Sequence, residues 1–327
     1  MQEEKHAKVS VCVVTYNQRK YIRQCLQSIV DQEANFDFEV IIGDDCSTDG
    51  TRSIVMEFAE KYPDVVKPIY HTINVGATKN LLTVHSAACG NYIAHMDGDD
   101  YMLPGKLQLQ VDGLEKNPDC TICFHEMKRF DQKNERFLVL ASKNIPVKSD
   151  IRFLLMNISV FTHSGKMYRA ECRNGLELVP DELIDCYLHV HHALRGNILF
   201  LNKPLGVYRL NVGMATDKKD TRNTIHKIPA PGLLEWCIDA IEYAGRSGID
   251  AGLINQSKAM AYFGYSYSHL MAKDFKGFRL LINKSYETAK LSNIQFLFKF
   301  FSNAPILLFL LVRLRAGLRE IIYRDTH

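Results

Sequence analysis

The sequence predicts an α/β protein in which a mostly parallel sheet carries helices on both faces and a helical region follows it. Three observations predict this. Over the first 125 residues, apolar runs rich in Val and Ile alternate four times with stretches of helical periodicity, the signature of a parallel sheet with right-handed crossovers. The runs are continuous rather than alternating, as in strands covered on both faces. From about Lys218 the character changes: polar residues and Ile228-Pro-Ala-Pro-Gly232 read as a linker, and only helical patterns follow.

The first strand is Val9–Thr15 (VSVCVVT), broken by Tyr16 and Asn17. A helix over Lys20–Gln32 follows, with Ile22, Cys25, Leu26 and Ile29 on one face. Phe38–Ile42 is the second strand and ends in Gly43-Asp44-Asp45. Ser47 or Thr48 suits the N-cap of the next helix, which carries Ile54, Val55, Phe58 and Tyr62. Val65–Tyr70 is the third strand, and Asn74-Val75-Gly76 turns the chain into a helix over Thr78–Ala88. Tyr92–Met96 is the fourth strand. A helix begins near Pro104, which suits a first turn, and a strand spans Thr121–His125.

The composition is that of an ordinary globular protein: 327 residues, 46% hydrophobic and 24% charged. The formal net charge of +3 is too small to point to nucleic acid. The first residues, MQEEKHAK, are charged and read as no signal peptide. Nine cysteines are scattered, several in apolar contexts (Cys12, Cys25, Cys89, Cys123), which suits buried reduced thiols in a cytoplasmic protein. Cys120 and Cys123 have a metal-like spacing, but no second pair follows and a strand would point them to opposite faces.

The fourth strand ends in three carboxylates, Asp97, Asp99 and Asp100. Acids crowded at a strand end repel one another unless something positive joins them. Mn²⁺ or Mg²⁺ meets this need, taking one or two carboxylates and filling its other positions with water and substrate phosphates. Gly98, lacking a side chain, lets the backbone approach a bulky ligand. The triplet alone is a weak signal, because a polar turn after a strand has the same letters. Its company strengthens it. Ligands of doubly wound sheets bind beyond the carboxyl ends of the strands. Thr15 with Tyr16, Asp44 with Asp45, and Asp97 to Asp100 all fall there, so three distant segments are expected in one crevice. The first strand is followed by TYNQRK and not by G-x-G-x-x-G, so a dinucleotide is not the expected ligand.

The segments VSVCVVTYNQRKYIRQCLQSIVDQ, FEVIIGDDCSTDGT, NVGATKN and GNYIAHMDGDDYMLPGKL, in this order and spacing, resemble the GT-A-fold glycosyltransferases of family 2, over roughly Val9 to Asn211. The resemblance implies a nucleotide-diphosphate sugar as donor, UDP-linked by preference. It implies inverting transfer to a hydroxyl of a growing glycan or lipid-linked acceptor, in bacterial surface polysaccharide synthesis. Thr15, Tyr16 and Asn17 would line the nucleobase and ribose, and Asp45 would hydrogen-bond the base. Asp97 and Gly98 would face the ribose or the metal's water shell, and Asp99 would bind Mn²⁺ or Mg²⁺. Asp44 reads as a charge partner of a helix N-terminus, and Asp49 as a cap or turn residue.

An inverting transferase also needs a general base for the acceptor hydroxyl. Within Val179–Gly196 (VPDELIDCYLHVHHALRG), the family's register places Asp185 at that position, with Asp181 and Glu182 as alternatives. Before it, Val160–Tyr168 reads as the strand presenting the acceptor face. There His163 would touch acceptor or diphosphate, or serve as a hydrogen-bonded structural residue. After it, the segment from Ile198 resembles one that often ends in Tyr-Arg-x-His; here Asn211 replaces that His, leaving Arg209 or Asn211 to hold the diphosphate. His189, His191 and His192 read as exposed or core-edge residues, because no carboxylate joins them as in H-E-x-x-H.

The expected organisation is a nucleotide-sugar-binding half over residues 1–125, an acceptor and base half over 126–217, and a helical region over 218–327. In that region Leu233–Ala244, Ile254–Ala272, Phe275–Lys290 and the stretch from Ile294 read as helices, the middle two forming a hairpin through Lys273-Asp274. Ile294–Val312 holds one charge, Lys299, yet Ser302, Asn303 and Pro305 interrupt it before it becomes a membrane span. Beyond it Leu314, Leu318 and Ile321 or Ile322 alternate with Arg313, Arg315 and Arg319. A basic amphipathic helix lying on the inner face of the cell membrane and a helix packed on protein both remain open. Rival functions are a sugar nucleotidyltransferase, a phosphate-handling α/β enzyme and a non-catalytic nucleotide-sugar binder. The first should carry a basic Gly-rich loop after its first strand, which is missing, and intact acids at three strand ends argue against the last.

Overall fold

The computed structural model describes residues 7–138, 144–176, 185–210, 212 and 232–314. The chain divides into two compact units, Met1–Leu154 with Ser159–Thr216, and Leu155–Ile158 with Asp217–His327.

The first unit is built on one mixed sheet. Its strands are β1 (Val9–Thr15), β2 (Phe38–Asp44), β3 (Val66–Tyr70), β4 (Tyr92–Asp97), β5 (Tyr101–Met102), β6 (Cys120–Asp131), β7 (Arg136–Leu138), β8 (Lys148–Ser149), β9 (Met167–Arg169) and β10 (Asn197–Leu210). The order across the sheet is β3-β2-β1-β4-β9-β6-β10-β5, with β7 beside β6 and β8 beside β10. β3, β2, β1 and β4 run parallel, whereas β9 lies antiparallel to both β4 and β6. The helices are α1 (Ile22–Val30), α2 (Thr51–Lys61), α3 (Ala77–Ala87), α4 (Lys106–Lys116), α5 (Ile151–Met156) and α6 (Asp185–Ala193).

The strands form where continuous apolar runs predict them, because both faces are covered. Val11, Val13, Val40, Ile42, Ala94 and Met96 pack with Ile22, Leu26 and Ile29 of α1 and Leu107, Val111 and Leu114 of α4 in one core. Each Val, Ile, Leu and Met side chain among them contributes about 1.5–3 kcal/mol by leaving water. The expectation of a strand over Val160–Tyr168 is corrected: His163–Gly165 is a 3-10 turn and the strand is confined to Met167–Arg169. The expected caps Ser47 and Thr48 are corrected too. Helix α2 starts at Thr51 after Gly50 at φ +95°, and the Asp49 carboxylate accepts the Thr51 N–H at 3.0 Å. Cys89 is exposed rather than buried, and no disulfide forms among the described residues.

The second unit is helical: α7 (Leu233–Arg246), α8 (Ala251–Met271), α9 (Phe275–Thr288) and α10 (Asn293–Phe300). The α8–α9 hairpin turns at Lys273, whose φ is +63°, and Asp274 caps α9 by accepting the Gly277 N–H at 3.0 Å. Leu270, Phe278, Ile282, Phe298, Leu308 and Phe309 form its core. No helix among the described residues is long and apolar enough to cross a membrane.

Candidate active site

The register of three strands puts the expected polar clusters on one edge. β1 lies between β2 and β4, with Thr15 opposite Asp44 and Val14 opposite Asp97. At one strand spacing on each side, the ends of β2 and β4 are roughly 10 Å apart, a span that suits a nucleotide.

The loops after β1 and β2 are laced together. Asn17, at φ +52°, donates its N–H to Ser47 Oγ at 2.9 Å and accepts the Thr48 N–H on Oδ1 at 2.8 Å. Asn tolerates this left-handed backbone better than most residues. Tyr16, 36% exposed, stands at the rim. Asp44 is fully buried and accepts from Arg52 Nε at 2.6 Å, so its partner is a side chain of α2. Asp45 accepts the N–H groups of Val75 at 2.6 Å and Gly76 at 3.0 Å, one on each carboxylate oxygen. It pins the turn into α3, and each oxygen keeps a further lone pair.

At the end of β4, Thr15 Oγ1 donates to Gln18 Oε1 at 2.8 Å. A Cβ at Gly98 would lie 2.4 Å from Gln18 Oε1 and 3.0 Å from the Thr15 side chain. A side chain there would displace Gln18 and crowd Thr15, so the β1 loop packs closely on this glycine. Asp97 accepts from Ser164 Oγ on Oδ2 at 2.9 Å and contacts His95 Nε2 through Oδ1 at 3.1 Å. Asp100 is buried, with Oδ1 accepting the Arg209 N–H at 2.9 Å. Its Oδ2 has no hydrogen-bond partner among the described residues.

Arg209 is 6% exposed. Its guanidinium donates to the Asp99 carbonyl and to Gln24 Oε1, with the rings of Tyr21 and Tyr101 about it at 5.1 and 4.9 Å. It braces the acid loop from beneath. Asn211, Asp181 and Glu182 lie outside the described residues.

Asp185 opens α6 and meets the same cluster. Its Oδ1 is 3.5 Å from His163 Nδ1, and the His163 ring lies 4.0 Å from the His95 ring, which touches Asp97. His163 is 3% exposed and also faces His189 Nε2 at 3.4 Å, so it buttresses the acid from behind. Tyr208 reports the convergence: after burial, the charges of Asp100, Asp97, Asp185 and Asp99 push its hydroxyl pKa up. His189, His191 and His192, expected as exposed or core-edge residues, are instead fully within the core, each at most 1% exposed. α6 is sunk between the sheet and its neighbours, with only its first residue open.

The electrostatics are strained in one direction. Burial, then repulsion from Asp97, raises Asp99 to about 6. Burial, with Asp97 and Asp99, pushes Asp100 well up. Burial and Asp97 raise Asp185 to about 7 against the pull of Lys166; its side chain is 63% exposed, and because cleft water reaches it, about 7 is the upper end of that rise. Two lysines missed in the sequence, Lys106 and Lys166, are fully buried here, and burial lowers both to about 7. Lys106 Nζ donates to the Ser164 carbonyl at 2.6 Å. His85 and His95 were also missed. The signal for His95 was a polar residue in mid-strand in YIAHM; for Lys106 it was helical spacing with the buried Gln110 and Leu114.

A divalent cation fits this donor set. Asp99 is partly open, and a nearby positive charge would relieve its raised pKa and give the orphaned Asp100 oxygen a favourable field. No three His, Cys, Asp or Glu side chains gather to hold an ion among the described residues. A cation there would draw its remaining ligands from water and donor phosphates.

The sequence model of Glycosyl transferase family 2 matches residues 10–174. The chain belongs to this family. An uncharacterized protein of Mycobacterium tuberculosis is 37% identical over 207 residues, 62% of this chain and 58% of that protein. The chain thus spans under two thirds of that relative's length. The putative teichuronic acid biosynthesis glycosyltransferase TuaG of Bacillus subtilis is 38% identical over 116 residues, 36% of this chain and 45% of TuaG. Among solved structures, residues 1–349 of S. aureus TarS in complex with UDP-GlcNAc match with a TM-score of 0.61 at 18% identity, over 91% of this chain and 88% of that one. This likeness shows a shared GT-A fold. Asp185 lies beyond the residues matched by the family model.

Proposed function

We propose that this chain is an inverting glycosyltransferase that moves a sugar from a nucleotide-diphosphate donor, UDP-linked by preference, to a hydroxyl of a growing glycan or lipid-linked acceptor. What supports this is that Asp185 reaches His163, whose ring meets the His95–Asp97 pair at the strand end carrying Asp99 and Asp100, in a family 2 chain. The complex of a structural neighbour with UDP-GlcNAc and a relative named for teichuronic acid biosynthesis support a UDP-sugar and a polysaccharide acceptor.

In this reading Thr15, Tyr16 and Asn17 line the base and ribose. Asp45 walls the base pocket and offers its free lone pairs to the base. Asp97 faces the ribose side. Asp99 holds Mn²⁺ or Mg²⁺, which when bound supplies Lewis-acid stabilisation of the diphosphate. Asp185 takes the proton of the acceptor hydroxyl as that oxygen bonds to the anomeric carbon. The bond from that carbon to the diphosphate oxygen breaks, and the nucleotide leaves with its electron pair. Arg209 braces the acid loop through two of its five guanidinium N–H groups, which leaves donors for the diphosphate.

Incubation with UDP-sugars and Mn²⁺ tests the function directly. Nucleotide release that depends on acceptor and stops with EDTA is the expected result. Donor binding without turnover under any acceptor panel would favour a non-catalytic binder.

The second unit suggests where the acceptor is met. Phe296, Phe300, Ile306, Leu307, Leu310 and Leu314 are 49–69% exposed on one stretch, and the charges within residues 294–314 are Lys299 and Arg313, both basic. An apolar face edged by cations suits an anionic membrane surface, where lipid-linked acceptors reside. Leu308 and Phe309 of the same stretch face the helical core, so packing on protein and an open face coexist there. Leu307→Asp with Leu311→Asp should lower sedimentation with anionic vesicles at least tenfold. Unchanged sedimentation would remove the membrane, and a dimer lost in the double variant would assign the face to a second copy.

A further inference from the structure

Behind Asp97 lies a file of buried polar rings that neither the donor site nor the base position uses. Tyr168 Oη lies 2.7 Å from His85 Nδ1, His85 Nε2 lies 3.0 Å from His95 Nδ1, and His95 Nε2 lies 3.1 Å from Asp97 Oδ1. The three residues come from β9, α3 and β4, and each is at most 1% exposed. The three contacts can be satisfied in only one direction. A neutral imidazole has one N–H and one acceptor nitrogen, and burial keeps both rings neutral. A carboxylate oxygen only accepts, so His95 Nε2 must carry the hydrogen. His95 Nδ1 is then an acceptor and must be met by His85 Nε2–H. His85 Nδ1 is then an acceptor in turn, met by the Tyr168 hydroxyl. Reversal would set a bare His95 nitrogen against the Asp97 oxygen.

We propose that Tyr168, His85 and His95 form a one-way hydrogen-bond chain that holds the Asp97 carboxylate in a single rotamer facing the donor site, which makes His95 a positioning residue for donor binding. Successive dipoles point the same way and reinforce one another, and the last bond, to a carboxylate, is the strongest. Ser164 completes the clamp: its Oγ–H donates to Asp97 Oδ2 at 2.9 Å and its oxygen accepts the Asp97 N–H at 3.1 Å. Two oxygens held from two directions leave the Asp97 side chain no second rotamer that keeps both bonds. The effect on donor binding rests on the function proposed above, whereas the direction of the chain does not.

Two measurements test this on the full chain. In the first, two-bond ¹H–¹⁵N spectra of ¹⁵N-histidine-labelled protein read the tautomers, with His85→Phe and His95→Phe used for assignment. Both rings should be Nε2–H tautomers, uncharged at pH 7.5, and Tyr168→Phe should release His85 from that single form. An Nδ1–H tautomer or an imidazolium at either ring would overturn the chain. In the second, titration calorimetry reads UDP binding with Mn²⁺. His95→Phe should weaken Kd about 10- to 100-fold, and His95→Gln, which restores an N–H donor, should recover most of the loss at a similar Tm. A folded His95→Phe with unchanged Kd would remove the positioning role. Failure of the wild-type chain to bind UDP with Mn²⁺ would instead sink the donor assignment, with the tautomer spectra still deciding the chain.

Discussion

Asp185 is where chemistry and protonation meet. A base must be ionised to accept the acceptor's proton, and burial with the Asp97 charge holds this carboxyl up to about 7. Activity should therefore fall as pH drops through that region, about tenfold per unit below the midpoint. A bound cation would move the midpoint lower, not higher. The check is kcat/KM against pH from 4 to 8 at saturating Mn²⁺, and a profile with no acidic limb anywhere in that range would place the base elsewhere. The acids themselves were legible in the letters, since polar residues after an apolar run mark the end of a buried strand. Their partners were not. Lys106, Lys166, His85 and His95 sit inside apolar segments, where composition averages hide a single polar residue. Nothing in a linear pattern shows that His85 of α3 reaches His95 of β4 and Tyr168 of β9.

Among the elements, the sheet's parallel half rests on a buried carboxylate. Glu39 of β2 is 3% exposed; it accepts from Ser10 Oγ of β1 at 2.5 Å, the Cys89 N–H before β4 at 3.1 Å and Lys67 Nζ of β3 at 2.7 Å. One side chain thus ties the strands whose far ends carry the site. Glu39→Gln keeps the shape but loses charge-assisted bonds, which should destabilise the fold by about 1–3 kcal/mol. Burial opposes ionisation of Glu39, but Lys67, Ser10 and the Cys89 N–H overcome it and lower its pKa. Its stabilisation is therefore present above the unfolded value near 4.5 and lost as pH falls through the lower folded value. Denaturant midpoints of the two forms should differ at pH 7 and draw together as pH falls below 4.5; equal midpoints at pH 7 would contradict this. Elements with one strong period were readable in advance, as β1 to β4 were. The stretch from Val160 was not, because Ser164-Gly165 breaks an extended pattern into a 3-10 turn that places the Ser164 hydroxyl against Asp97.

At the scale of the molecule, the first unit carries an unusual load of neutral imidazole. His85, His95, His125, His163, His189 and His192 all have pKa values lowered by burial. The unfolded chain binds protons near pH 6.5 while the folded one does not, so their stabilisation is complete above that value and lost below it. Asp99, Asp100 and Asp185, with raised values, pull the other way, and the six rings outnumber them. In EDTA, Tm should drop between pH 7.5 and 5.5; a constant or rising Tm would show that the rings are solvated. The most direct test of the central claim, that acids from separate segments serve one donor site, is calorimetric titration of UDP with Mn²⁺ into three forms of the chain. Asp99→Asn should abolish the Mn²⁺-dependent part of binding, while Asp185→Asn should bind like wild type yet transfer sugar at least a thousandfold more slowly. Equal binding in Asp99→Asn, or normal transfer in Asp185→Asn, would contradict the account.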